Sequence, residues 1–222
     1  MATVDLPTEA FVWSLPEPEL AEALATRPLL LLLHGRGSNE RDLFALVPHL
    51  PAEAVVVSLR GPSEVGPGSY QWFRPTIVGS PEPGPANEAG AAILDWLDEL
   101  PRAPKTWVLG FSQGAAMALQ LMRLAPRRFD KYVNLSGFTI PGEMPLDDEL
   151  LELRPPVFWG RDPQEQVVPQ FAVERTEEWL PQRSRLTKRE YEGIGHAVSG
   201  QELLEVTAFL RNTTAPDADS SA

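Results

Sequence analysis

Short, uninterrupted apolar runs recur along the chain, and they restrict its fold more than any other feature. The clearest is LLLLLH at residues 29–34, which ends at Gly35. A continuous apolar run of five or six residues is typical of a strand that is buried on both faces of a sheet. Four further runs have this character, at residues 54–59, 105–110, 131–136 and 156–160. FVWSL at 11–15 predicts an additional early strand, and the more polar segment 185–191 predicts an edge strand.

Segments with helical periodicity lie between these runs. Residues 87–100 place their apolar side chains on one face, and Pro101 ends the element. Four other helices are predicted, at residues 39–47, 113–125, 170–180 and 200–211. Buried strands that alternate with helices predict an α/β protein whose mostly parallel central sheet carries helices on both faces.

Two long connections interrupt the alternation, and the chain ends in a polar tail. Residues 61–86 are rich in proline and glycine and contain three aromatic residues, and residues 138–155 form the second connection. Loops of this length in a compact domain are usually functional or disordered. The length of 222 residues fits one large domain. We therefore expect a single domain over residues 1–212 and a disordered acidic tail over residues 213–222.

The charge and the cysteine content disfavour several classes of function. The formal net charge of −12 argues against a nucleic-acid partner, because phosphate binding requires clustered Lys and Arg, and it weakens attraction to anionic membranes. The chain has no cysteine, so disulfides, thiolate nucleophiles and cysteine-bound metals are ruled out. The N-terminal segment does not resemble a signal peptide, and no apolar run is long enough to cross a bilayer. We expect a soluble, cytoplasmic protein without stable membrane insertion.

The sequence GFSQG at residues 110–114 places a serine between two glycines, where a predicted strand ends and a predicted helix begins. A nucleophile at such a turn needs a strained backbone, and side chains at Gly110 and Gly114 would clash with it. The Ser112 hydroxyl would then stand at the carboxyl end of the sheet, facing the positive end of the next helix. The N–H of Gln113 would be able to bind an oxyanion. The motif therefore predicts a serine nucleophile.

A serine hydroxyl needs a base, and in this arrangement the order along the chain is serine, acid, histidine. His196 is the only histidine that follows Ser112, and it lies in the glycine-rich loop EGIGHAVSG. The acid is expected in the loop GRDPQEQVVPQ, which offers Asp162 and Glu165. Either carboxylate would orient the imidazole and stabilise its cationic form.

The loop HGRGSNE, which follows the apolar run at 29–34, is expected to supply a second oxyanion donor. Gly35 and Gly37 allow the backbone to approach a ligand closely, so the N–H of Arg36 is the natural donor. The Arg36 side chain would then lie at the mouth of the pocket, where it could meet anionic substrates. His34 is interpreted as a structural residue that orders this loop.

Four blocks of the sequence resemble the phospholipase/carboxylesterase family of α/β-hydrolases, which includes the acyl-protein thioesterases. They follow one another in the order of the family, cover about residues 28–210, and read LLLHGRGSNERDL, LGFSQGAAMAL, FWGRDPQEQVVP and GIGHAVSGQEL. The resemblance implies an α/β-hydrolase fold without a large cap domain, with Ser112 as nucleophile and His196 as base. It also implies that the N–H groups of Arg36 and Gln113 form the oxyanion hole.

The resemblance further implies hydrolysis of esters or thioesters through an acyl-enzyme, with no metal or cofactor. The segment RGPSEVGPGSYQWF is similar to the family segment that ends in Trp-Phe and lines the acyl site. On that basis Trp72 and Phe73 are expected to bind substrate. Simple packing of the loop onto the core is the alternative for both aromatic residues.

The acid departs from the family pattern, in which an Asp usually stands directly before a Pro-x-Val-Pro-like run. Counting back from the Val-Val-Pro sequence that ends at Pro169 puts Glu165 at that position, whereas counting forward from Gly160 favours Asp162. Glu165 is preferred, because Pro169 is expected to open a helix and so to fix the register.

The leading interpretation is a serine carboxylesterase that acts on a small-molecule ester with a small or medium acyl group. A thioesterase or lysophospholipase that acts on longer acyl chains is a close alternative. The net charge and the missing amphipathic anchor disfavour an enzyme that binds to a lipid surface. Dienelactone-hydrolase chemistry is disfavoured by the absence of cysteine. A non-catalytic binding module on the same fold is the alternative from another class. A symmetric homodimer is considered only because it is a common assembly of soluble proteins.

Overall fold

The computed structural model describes residues 4–212, and its centre is a seven-stranded sheet. The tail predicted at 213–222 lies outside the described residues. The described strands are β1 (Val12–Trp13), β2 (Leu29–Leu33), β3 (Val55–Leu59), β4 (Ser63–Gly66), β5 (Ser69–Gln71), β6 (Thr106–Phe111), β7 (Lys131–Leu135), β8 (Pro156–Arg161) and β9 (Arg185–Glu190). Each apolar run that predicted a buried strand overlaps one of them, and β6 and β8 extend one residue beyond their runs.

The order across the sheet is β1-β3-β2-β6-β7-β8-β9, and every neighbouring pair is parallel except β1 with β3. The mostly parallel sheet predicted from the sequence is therefore confirmed. β9 occupies one edge and has no fully buried residue, which agrees with its polar sequence. Strands β4 and β5 form a separate antiparallel hairpin beside the sheet.

Seven α-helices lie among the described residues, and they cover both faces of the sheet. They are α1 (Glu17–Thr26), α2 (Glu40–Phe44), α3 (Pro83–Glu99), α4 (Gln113–Leu124), α5 (Asp147–Leu153), α6 (Gln170–Arg183) and α7 (Gly200–Arg211). Alternate leucines of β2 belong to two different apolar clusters, because successive side chains of a strand point to opposite faces. Leu31 packs in the cluster that contains α1, α3, α4 and α6, whereas Leu32 packs with α2 and α7.

The structure differs from the sequence predictions at α1, at α5 and in the connection 61–86. Helix α1 was not predicted, and α5 lies inside the stretch 138–155 that was predicted as a connection. The other long connection, 61–86, contains the β4–β5 hairpin and the first turn of α3. No additional domain is inserted between these elements in residues 4–212. None of the helices in the same residues is long and apolar enough to cross a membrane.

Candidate active site

Ser112 lies between the end of β6 and the start of α4, with a backbone conformation that L-residues rarely adopt. Its φ is 54° and its ψ is −115°. Such a conformation costs about 1–3 kcal/mol and persists only where the surroundings hold it. Here the N–H of Ser112 donates to Leu135 O over 2.8 Å, and its carbonyl accepts from the N–H groups of Ala115 and Ala116. The hydrogen bonds to both sides of the residue fix the strained turn.

The two glycines of the motif are required by close backbone contacts. A Cβ at Gly110 would lie 2.1 Å from Gly114 O, and a Cβ at Gly114 would lie 1.9 Å from Leu33 O. Real Cβ atoms essentially never approach other atoms this closely. The steric reason given for Gly-x-Ser-x-Gly is therefore confirmed, and the start of α4 packs directly on the end of β2.

His196 lies in the loop between β9 and α7, and its ring contacts the loop that follows β8. Its Nδ1 is 2.9 Å from Glu165 Oε2, and its ring packs 4.9 Å from the ring of Phe111. The Glu165 side chain is fully buried and also accepts from the N–H groups of Val167 and Val168. Of the two predicted acids, Glu165 is therefore the one in contact with the imidazole.

Asp162 contacts the backbone of the histidine loop instead of the imidazole. Its Oδ1 accepts from the N–H of Gln164 over 2.8 Å, and its Oδ2 accepts from the N–H of Gly195 over 2.7 Å. The hydrogen bonds from these main-chain N–H groups lower the pKa of Asp162, and the one from Gln164 has the largest effect. The carboxylate thus connects the loop after β8 to the residue next to His196.

The loop after β2 is held by His34, whose ring is fully buried. Its Nε2 accepts from the N–H of Gly61 over 2.9 Å, so its proton resides on Nδ1, which lies 2.8 Å from Gly35 O. Burial lowers the pKa of His34, which favours this neutral form. The C=O of Gly35 and the N–H of Arg36 belong to one planar trans peptide and point in opposite directions. Fixing the carbonyl on His34 therefore fixes the direction of the Arg36 N–H.

The Gln113 side chain joins this region to the segment after β5. Its Oε1 accepts from the N–H of Trp72 over 2.9 Å, and its Nε2 donates to Phe73 O over 2.8 Å. The Trp72 indole N–H in turn donates to His34 O over 2.8 Å. Three chain segments around the serine are thus connected by buried hydrogen bonds. No local sequence pattern predicts this role of the Gln113 side chain, because its partners are brought to it by the hairpin.

A cavity of about 520 Å³ opens beside Ser112. Its walls combine the serine and histidine with the glycine loop after β2 and with apolar side chains. The lining residues are Gly35, Arg36, Gly37, Ser38, Asp42, Phe73, Pro75, Val78, Gly79, Phe111, Ser112, Gln113, Phe138, Val167, Val168 and His196. In residues 4–212 no group of three or more His, Asp and Glu side chains is arranged to hold a metal ion.

The two aromatic residues expected to bind substrate occupy different places. Phe73 lines the cavity. Trp72 does not line it and is 1% exposed, with its ring packed against the His34 ring. Trp72 therefore packs on the core, which was the alternative to substrate binding, and it supports the loop after β2 through its contacts with His34.

A model of the phospholipase/carboxylesterase family matches residues 82–214. Two curated relatives, both named acyl-protein thioesterase 1, come from Saccharomyces cerevisiae and Candida albicans. The first is 29% identical over 108 residues, which is 47% of this chain and 48% of the relative. The second is 31% identical over 110 residues, which is 46% of this chain and 47% of the relative. The chain therefore spans about half the length of these relatives.

Solved structures show the same fold over most of the chain. The Bacillus cereus carboxylesterase is 21% identical, with a TM-score of 0.70 over 90% of this chain and 92% of its own. The esterase PE8 is 27% identical, with a TM-score of 0.70 over 84% of this chain and 93% of its own. The α/β-hydrolase fold expected from the sequence is thereby confirmed.

Proposed function

Because the chain belongs to the phospholipase/carboxylesterase family of serine hydrolases, we propose that it is a carboxylesterase that acts on small or medium acyl esters. The catalytic groups would be Ser112, His196 and Glu165. The observation that carries the proposal is the 2.9 Å contact between His196 Nδ1 and Glu165 Oε2, beside the cavity that Ser112 lines. A carboxylate on Nδ1 leaves Nε2 of the imidazole available as a base.

The proposed reaction begins when Ser112 Oγ attacks the ester carbonyl carbon and His196 Nε2 accepts the hydroxyl proton. The Glu165 carboxylate stabilises the imidazolium, and the N–H groups of Arg36 and Gln113 bind the oxyanion. The C–O bond then breaks, and the imidazolium protonates the leaving alcohol. A water molecule gives a proton to His196 Nε2 and attacks the acyl carbon. The bond from that carbon to Ser112 Oγ then breaks, the imidazolium returns the proton to Oγ, and the carboxylic acid is released.

The size and the walls of the cavity support a small or medium acyl group. Small-molecule sites typically enclose about 300–1,000 Å³ and are mostly apolar. The cavity of about 520 Å³ lies in the lower half of that range, and Phe73, Phe111 and Phe138 are among its lining residues. These rings would enclose an acyl or alkyl group next to the serine.

A specific observation favours the second candidate, a thioesterase or lysophospholipase that acts on longer acyl chains. Val78 and Val167 line the cavity and are each 55% exposed, and Ile77 and Phe171 nearby in the chain are 62% and 47% exposed. A long acyl chain that extended beyond the cavity would pack against these exposed apolar side chains. The curated relatives are named as acyl-protein thioesterases, which agrees with this candidate.

The experiment is hydrolysis of para-nitrophenyl esters from acetate to palmitate by the wild type and by Ser112→Ala. Turnover that is greatest for short chains and absent in the variant is the expected result. A maximum at palmitate would favour the second candidate. The absence of both turnover and fluorophosphonate labelling in the folded wild type would contradict the proposal and favour a non-catalytic binding module. Since the proposed chemistry uses only side chains, main-chain N–H groups and water, activity is expected to persist in EDTA.

The location and the assembly stay predictions from the sequence. We propose a cytoplasmic protein and a symmetric homodimer. Cell fractionation and size-exclusion chromatography would test these two predictions directly.

A further inference from the structure

The Arg36 side chain lines the cavity beside Ser112 and is exposed. It forms no ion pair with a carboxylate in the part of the chain that the structure describes. Arg60, at the end of β3, shows the contrast, because two nitrogens of its guanidinium bind the Glu40 carboxylate at 2.6 and 2.7 Å. Arg36 is thus a cation at the mouth of the cavity with no acidic partner among residues 4–212.

A buried side chain holds the guanidinium in place. Arg36 Nε donates to Gln71 Oε1 over 3.2 Å, and Gln71 is only 7% exposed. This bond uses the Nε edge and leaves the two terminal nitrogens of the fork for another acceptor. An oriented guanidinium loses little further freedom when it binds an anion.

The backbone that carries Arg36 is equally well held. The N–H of Gly37 donates to Tyr70 O over 2.7 Å, and the N–H of Tyr70 donates to Ser38 O over 2.7 Å. These bonds pair the loop with strand β5, which ends at Gln71. The loop and the side-chain acceptor of Arg36 therefore belong to one hydrogen-bonded unit.

The only carboxylate among the lining residues is that of Asp42. Its Oδ2 accepts from the Ser38 hydroxyl over 2.6 Å, and it forms no ion pair with Arg36 in residues 4–212. The lining therefore includes one positive and one negative group that form no ion pair with each other in the described residues, together with apolar side chains. An anion on a bound molecule would be attracted to the Arg36 side of the mouth and repelled from the Asp42 side.

We propose that the substrate is an ester or thioester that carries a carboxylate on its acyl or alcohol part, and that the Arg36 guanidinium binds this carboxylate. The inference rests on the proposed function. It makes Arg36 a specificity residue through its side chain, in addition to the role proposed for its main-chain N–H. The planar fork suits a carboxylate, because two parallel N–H groups can donate to its two oxygens.

The experiment compares matched esters that differ in charge but hardly in size. One pair is para-carboxyphenyl acetate and para-carbamoylphenyl acetate, with the charge on the leaving group. The second pair is phenyl hydrogen adipate and its terminal amide, with the charge on the acyl group. The measured quantity is the ratio of kcat/KM for the anionic ester to that for its neutral partner, which cancels general effects of a substitution on catalysis.

For at least one pair, Arg36→Gln is expected to lower this ratio about 10-fold, as expected for loss of a charge-assisted hydrogen bond at an exposed site. Arg36→Lys should retain part of the preference, because it keeps the charge and loses the fork. Sodium chloride should lower the wild-type ratio, since salt screens exposed charges. Arg102→Gln is the matched control. Arg102 is exposed and precedes the amino end of β6, whereas Ser112 follows the carboxyl end of that strand, so the ratio for Arg102→Gln should equal that of the wild type.

An unchanged ratio for both pairs in Arg36→Gln would overturn the inference while leaving the proposed function intact. If the wild type hydrolysed no ester, the proposed function would fail, and binding would then decide the inference. In that case para-hydroxybenzoate would be titrated into the wild type and Arg36→Gln and followed by NMR. Tighter binding by the wild type would support the anion site, and equal binding would overturn it.

Discussion

Glu202, in the first turn of α7, is a buried carboxyl whose charge should make stability depend on pH. The residue is 0% exposed, and its Oε1 has no hydrogen-bond partner among the described residues. It lies so close to β8 that a Cβ at Gly160 would be 2.0 Å from this oxygen. Burial raises its pKa from 4.5 to about 7, so the neutral form predominates in the folded protein below that pH.

The sign and the size of the effect follow from the two pKa values. Between pH 4.5 and 7 the folded state holds a proton that the unfolded state has lost, so the free energy of unfolding falls as the pH rises. The penalty is absent below this interval and complete above it. A shift from 4.5 to about 7 corresponds to about 3 kcal/mol at the upper end.

Glu202→Gln removes the charge and keeps the shape. Gln also suits the third helical position, where Glu202 completes a capping box with Ser199. The variant should match the wild type at pH 4.5 and exceed its free energy of unfolding by up to about 3 kcal/mol at pH 8. Urea titrations at both pH values, followed by tryptophan fluorescence, would measure the difference.

The control is Glu192→Gln, which removes an exposed carboxyl shortly before α7. Its free energy of unfolding should stay within about 0.5 kcal/mol of the wild type at both pH values. Comparing each variant with the wild type cancels the effects of pH on the rest of this acidic chain. If the gain from Glu202→Gln were the same at pH 4.5 and pH 8, the carboxyl would not titrate between them and the reasoning would be wrong.

Three further predictions concern the site. Glu165→Ala should lower kcat about 10³–10⁴-fold, and Asp162→Ala should lower it far less, because only Glu165 contacts the imidazole. Steady-state kinetics on para-nitrophenyl acetate would measure both losses of kcat. Gly114→Ala should abolish activity and destabilise the protein by about 3 kcal/mol or more, because the new Cβ would lie 1.9 Å from Leu33 O. Urea titration would measure the loss of stability. Gln113→Ala should lower the free energy of unfolding by about 2–4 kcal/mol, because it leaves the buried Trp72 N–H and Phe73 C=O without their partner. Urea titration would also measure this loss.

Each of these predictions has an outcome that contradicts it. Equal, small losses for Glu165→Ala and Asp162→Ala would refute the assignment of the acid. An active, stable Gly114→Ala protein would mean that α4 can move away from β2. A cost for Gln113→Ala no larger than that of an exposed Gln164→Ala control would mean that water replaces the lost hydrogen bonds.

Patterns confined to a short stretch of sequence predicted the fold well. The strands were recognisable because a strand covered on both faces must be apolar at every position, as in β2. Helix α1 lacks such a signal, since Leu24 is its only buried residue, and Pro16 at its N-cap is followed by Pro18 in its first turn. Helix α5 is acidic, buries only Asp147 and Leu150, and lies within a stretch that otherwise has no regular structure.

The site was predictable where its chemistry is local and obscure where its contacts are distant. The Ser112 turn is encoded by five consecutive residues. The count back from Pro169 favoured Glu165, the acid that contacts the imidazole, but the count forward from Gly160 favoured Asp162. The two counts disagree because the choice depends on how one loop folds against the histidine loop. The Gln113 contacts with Trp72 and Phe73 join residues 41 and 40 positions apart, and they exist only because the hairpin brings the segments together.

Two buried titratable groups flank the carboxyl end of the sheet, and their effects on stability oppose each other. Burial lowers the pKa of His34, so the folded state resists protonation and loses stability as the pH falls below the ordinary value of 6.5. Glu202 acts in the opposite direction, since it costs stability as the pH rises from 4.5 to about 7. The contributions of these two groups to stability therefore oppose each other in the interval where both titrate. The loop that carries Arg36 depends on neutral His34 and not on Glu202, so Glu202→Gln should change stability without changing the oxyanion loop.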